Sequence, residues 1–75
     1  MKDEILLIAA QTMKISTDEA LKHYKPIPEL NAYYFWNPIR GGIAVIVDEE
    51  GGRLGATSAV SLEKHLEAFK SGRRN

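Results

Sequence analysis

Ile5, Leu6, Ile8, Ala9, Thr12 and Met13 fall on one face of a helix, several of them at the spacing i, i+3, i+4, i+7, so residues 2–13 are predicted helical. Asp3 and Glu4 place negative charge at its N-terminus, where the helix dipole favours it. A second, shorter helix is announced by Ser16-Thr-Asp-Glu19, a capping box in which Ser16 accepts from the Glu19 amide and the Glu19 carboxylate reaches back. It should run from Thr17 to about Tyr24, with Ala20, Leu21 and Tyr24 facing inward. Pro26 and Pro28 then stop it, because proline disfavours helix at the residue before it and has no N–H to donate. Ile27–Asn31 reads as an extended connector.

The period then changes from helix to strand. Tyr33-Tyr-Phe-Trp36 is a run of aromatics, and Ile43-Ala-Val-Ile-Val47 is a short β-branched apolar run of the kind that fills a central strand. The turn between them, Asn37-Pro-Ile-Arg-Gly-Gly42, carries proline and two glycines. Asp48-Glu-Glu-Gly-Gly52 is a hairpin tip, and Arg53–Thr57 is the returning strand, weakened by Gly55 and Ala56. Ser61 caps a last helix whose stripe is Leu62, Leu66 and Phe69, and Gly72 falls where a helix-ending glycine belongs. Arg73–Asn75 should fray.

The predicted architecture is an α+β fold of order α-α-β-β-β-α, with a three-stranded antiparallel meander and helices on one face. The 75 residues form one domain, spanning residues 1–75. A chain of this length buries only about 60% of its unfolded surface, which leaves a thin core and a stability of about 4–11 kcal/mol.

The segment from Gly41 onward resembles the YrhB-like family of bacterial immunity-type proteins. The likeness covers residues 33–69: the aromatic strand, the glycine-led Gly41-Gly-Ile-Ala-Val-Ile-Val-Asp48, Gly52, Thr57, and Leu62-Glu63 opening a helix that ends in an aromatic. Ala44 stands where that pattern has proline. The resemblance implies a small cytoplasmic antitoxin or chaperone-like binding protein rather than an enzyme, and it brings no catalytic residues with it.

Composition narrows the function classes. There is no cysteine, so no disulfide or zinc–thiolate site supports the fold, and the chain fits a reducing compartment. Net charge is zero, which counts against a general nucleic-acid binder. The charge is unevenly spread, with −3 over residues 1–50 and +3 over residues 51–75. A nucleic-acid-associated factor using the basic end, Lys70, Arg73 and Arg74, is therefore the alternative reading. The apolar stretch Ile5–Ala10 is too short for a membrane span or a leader sequence, so a cytoplasmic location is expected.

No catalytic, cofactor or metal site emerges. His23 and His65 sit on predicted helices, facing partly outward, without further ligands at short spacing. Asp48, Glu49 and Glu50 lack the alternating oxygens of a calcium loop and read as a solvated turn. Ser58 and Ser61 lack a nucleophile elbow, and the glycine pairs lack a phosphate-cradling pattern.

The aromatic strand carries the functional expectation. Alternation puts Tyr33 and Phe35 on one face, and Tyr34 and Trp36 on the other. If the helices cover one face, the other exposes large apolar groups, the mark of an interaction surface rich in hot-spot side chains. The competing arrangement places the two N-terminal helices on one face and the C-terminal helix on the other. The expected function is a protein–protein interaction module, of an immunity or regulatory kind. It would bind another protein or a second copy of itself through Tyr34, Trp36, Ala44 and Ile46, with Arg40 at the rim.

Overall fold

A computed structural model describes residues 1–38, 42–57 and 59–74. Three α-helices, α1 (Asp3–Met13), α2 (Thr17–Lys22) and α3 (Leu62–Lys70), accompany four strands, β1 (Tyr24–Ile27), β2 (Ala32–Trp36), β3 (Ile43–Asp48) and β4 (Arg53–Thr57). The sheet is an antiparallel meander in the order β1-β2-β3-β4.

The α+β class stands, and the strand number is corrected from three to four. The added strand is β1, in the stretch expected to finish the second helix and lead out as a connector. α2 stops at Lys22, and Tyr24–Ile27 pairs with β2 in the register Tyr24↔Phe35, Lys25↔Tyr34, Pro26↔Tyr33, Ile27↔Ala32. Pro26 ends a helix but is tolerated on an edge strand, because the ladder bond it cannot make is not needed there. Pro28 then opens a 3₁₀ turn, Pro28–Leu30, which closes on Asn31 in the left-handed conformation (φ 49°) and turns the chain into β2.

Local signals account for the other boundaries. Lys14, left-handed at φ 59°, terminates α1. The Ser16 hydroxyl accepts from the Glu19 amide at 3.1 Å, but the Glu19 carboxylate turns to Lys22 (3.6 Å) and His23 (3.8 Å), so one arm of the capping box forms. Ser61 caps α3 by accepting from the Lys64 amide at 3.3 Å, and Gly72, at φ 97°, follows its last turn. In the β3–β4 hairpin one Asp48 carboxylate oxygen accepts from the amides of Glu50 (2.9 Å) and Gly52 (2.8 Å). Asp48 is thus a turn-building side chain rather than a merely solvated acid.

Helices cover the sheet from both sides. Ile5, Ala9, Ala10 and Met13 of α1, with Ala20 of α2, bury Phe35, Val45 and Val47. On the opposite face Phe69 of α3 packs with Ile27, Ala32 and Ile46, flanked by Leu66, Leu54 and Tyr34. The expectation of helices on one face is therefore corrected. The apolar β3 needed two partners, and α3 is the second. Burying one large apolar side chain contributes about 1.5–3 kcal/mol, so neither layer is dispensable in a chain this small. Leu21, expected to face inward, is 47% exposed, because the side of α2 turned to the core is the one that carries the fully buried Ala20.

Candidate binding cleft

On the α3 side, alternation lines up two cross-strand rows. One runs Lys25, Tyr34, Ile46, Leu54; the next runs Trp36, Ala44, Ala56. α3 begins at the second row and lies over the first. Its first residue, Leu62, and Val60 before it form one wall of an open cleft of about 420 Å³. Lys25, Tyr34 and Trp36 form the other wall, with Ala44 between them. A large side chain in place of Ala44 would occupy this space, so the small residue makes the hollow.

The rings on this face form a continuous series. His23 tilts against Trp36 with centroids 5.9 Å apart, Trp36 stacks on Tyr34 at 5.9 Å and 28°, and Tyr34 meets His65 edge-on at 5.8 Å and 80°. Offset-stacked and edge-to-face pairs at these separations are attractive, about 0.5–1.5 kcal/mol each beyond their burial. Trp36 and Tyr34 are only partly buried, whereas Phe35 between them is fully enclosed on the α1 side. Burial raises the Tyr34 phenol above its usual pKa, because the phenolate loses solvation there.

His65, expected to face partly outward, is 2% exposed. Its Nε2–H donates to the Leu54 carbonyl at 2.6 Å, tying α3 to β4. This is a satisfied core histidine that also props Tyr34.

Of the residues expected at the binding surface, Tyr34, Trp36 and Ala44 come together in the cleft. Ile46 does not. It is fully buried beneath α3, because the face it shares with Tyr34 is the one α3 covers. Arg40 lies outside the described residues, as do Gly41, Ser58 and Asn75. Lys25 and Leu62 were missed as cleft residues. Lys25 depends on recognising β1; with that strand in place, its register opposite Tyr34 follows.

The basic C-terminal end is not a frayed tail throughout. The Arg74 guanidinium lies 3.6 Å from the Phe69 ring centroid, donates to the Phe69 carbonyl at 2.9 Å, and sits 3.4 Å from the Asp48 carboxylate. A Cβ on Gly52 would come within 2.7 Å of that carboxylate and 2.9 Å of the Arg74 Nε, so a larger residue there would push these two side chains aside. Lys70 and Arg73 remain exposed.

Among the described residues no group of three His, Cys, Asp or Glu side chains is gathered to hold a metal ion. No helix among them is long and apolar enough to cross a membrane. No family model, curated protein or solved structure matches the chain.

Proposed function

We propose that this chain is a small protein-binding module that holds its partner in the cleft of Tyr34, Trp36 and Ala44. One observation carries the reading: the stacked Tyr34–Trp36 pair stays partly exposed beside an alanine floor, at the point where α3 stops covering the sheet. Leaving such rings accessible forgoes burial that a thin core would use. Tyr and Trp are the side chains that dominate binding hot spots, and pockets of roughly 300–1,000 Å³ admit individual side chains or small ligands.

The likeness of residues 33–69 to immunity-type proteins supports a partner-neutralising or regulatory role rather than catalysis. The lack of cysteine fits a reducing compartment, and we place its action in the cytoplasm.

The test is to capture a partner with the wild-type chain, purify it, and titrate it against wild type and Trp36→Ala. Hot-spot truncation is expected to weaken binding by about thirtyfold or more. The circular dichroism and melting of the variant establish that it is folded. A folded Trp36→Ala variant with undiminished affinity would remove the reading.

A further inference from the structure

We infer that the cleft takes an acidic segment of the partner protein, with an aliphatic or aromatic side chain over Ala44 and a neighbouring carboxylate at Lys25. This rests on the docking reading above and adds the chemistry of the occupant.

Lys25 is the only charged residue among the described ones that line the cleft. It is exposed, and no carboxylate among the described residues lies within ion-pairing distance of it. Its backbone is nonetheless fixed, since β1 pairs it with Tyr34. The ammonium is therefore tethered at an apolar wall without a counter-charge. The Trp36 indole N–H likewise meets no acceptor among the described residues, and it is not sealed from solvent. An apolar hollow flanked by two unused donors, one of them charged, complements an apolar side chain beside an anionic acceptor. A basic segment would instead bring like charge against Lys25.

Size and charge also argue against the other occupants. The hollow admits a side chain and its neighbour rather than a folded face. The acidic turn of a second copy is poorly suited to supply that carboxylate, since its Asp48 holds its own turn and Arg74, and its Glu49 faces Lys2 at 3.8 Å.

Trp36 is the sole tryptophan, so its indole N–H resonance reports the cleft directly. The intact chain is titrated with three blocked tripeptides at millimolar concentration, Glu-Phe-Glu, Gln-Phe-Gln and Lys-Phe-Lys, and with a short thymidine oligonucleotide. The acidic peptide is expected to move the indole resonance and to bind about two- to fivefold tighter than the glutamine peptide, the range of an exposed ion pair, with added salt removing the difference. Lys25→Glu, an exposed and conformationally harmless change, should transfer the preference to the lysine peptide. Equal binding of acidic and neutral peptides would overturn the acidic preference while leaving the docking reading intact. If no peptide moves the indole resonance, the docking reading falls with it. A stronger response to the oligonucleotide, or an indole shift on simple dilution of the chain, would assign the cleft to nucleic acid or to a second copy and overturn the proposal.

Discussion

Tyr34 meets His65 edge to ring at 5.8 Å, and His65 is held in turn by its hydrogen bond to the Leu54 carbonyl. A residue of the cleft wall is thereby fixed by a buried side chain of α3 anchored on β4. The position of the wall depends on the docking of α3 as much as on the sheet.

Replacing His65 with alanine should therefore loosen both. The substitution removes a buried hydrogen bond and opens a void under α3, a combined loss of about 2–4 kcal/mol. Against a total of about 4–11 kcal/mol for a chain of this length, that is a large fraction. Urea unfolding should show a lower midpoint, and tryptophan emission should shift in the folded state as Tyr34 loses its support beside Trp36. An unchanged midpoint would mean that His65 is not the anchor described.

The Arg74–Phe69–Asp48 contact makes a different statement about the basic end. Arg74→Ala should cost about 1 kcal/mol in stability, the usual scale for a partly exposed cation–π contact and ion pair. Asp48→Ala should cost more, about 1–3 kcal/mol, because it also strips two amide bonds from the hairpin. A double-mutant cycle should then show coupling between the two positions. If deletion of residues 73–75 left stability unchanged and instead abolished binding to an oligonucleotide, the C-terminal end would be a nucleic-acid contact and not a latch.

How much of this was legible in the sequence varies with the kind of signal. α1, the Ser16 and Ser61 caps, β2, β3 and β4 follow from periodicity and capping chemistry, and each lies within a residue or two of its expected place. β1 was hidden because its residues, Tyr24-Lys-Pro-Ile27, carry a proline and no alternation long enough to outweigh it; only pairing with β2 makes them a strand. The covering of both sheet faces was legible as one of two alternatives. The choice between them rests on where α3 docks, a tertiary fact. Tyr34, Trp36 and Ala44 could be grouped by strand parity alone, whereas the burial of Ile46 could not, since parity fixes a face but not how far a helix extends over it. Lys25 was lost together with β1.

Alkaline pH offers a separate probe of Tyr34. Burial raises its folded-state pKa above the unfolded value, so the neutral phenol favours the folded chain. The contribution is fully present below the unfolded pKa of about 10 and is lost as pH rises through the raised folded value. Stability should accordingly fall as pH passes through this window, and Tyr34→Phe should flatten that part of the profile. Absorbance at the phenolate band should show an ionisation above the usual tyrosine value that Tyr34→Phe removes. A Tyr34→Phe profile parallel to that of wild type would show that the ring is not desolvated in solution.

The alanine floor gives the sharpest separation of binding from folding. Ala44 is 9% exposed, lies on central strand β3 opposite Trp36 and Ala56, and points to the α3 side where the cleft opens. Valine has the higher strand propensity, and its two additional methyl groups would extend into the hollow rather than into the α1 core. Ala44→Val should thus leave stability within about 1 kcal/mol of wild type, since the added volume meets space and not packed atoms. The same methyl groups would occupy the position assigned to the partner's apolar side chain, so affinity should fall by roughly tenfold, the scale of about 1.4 kcal/mol. Calorimetric melting and partner titration on the same preparation check both halves. A fully stable Ala44→Val protein that binds as tightly as wild type would move the docking surface away from Ala44.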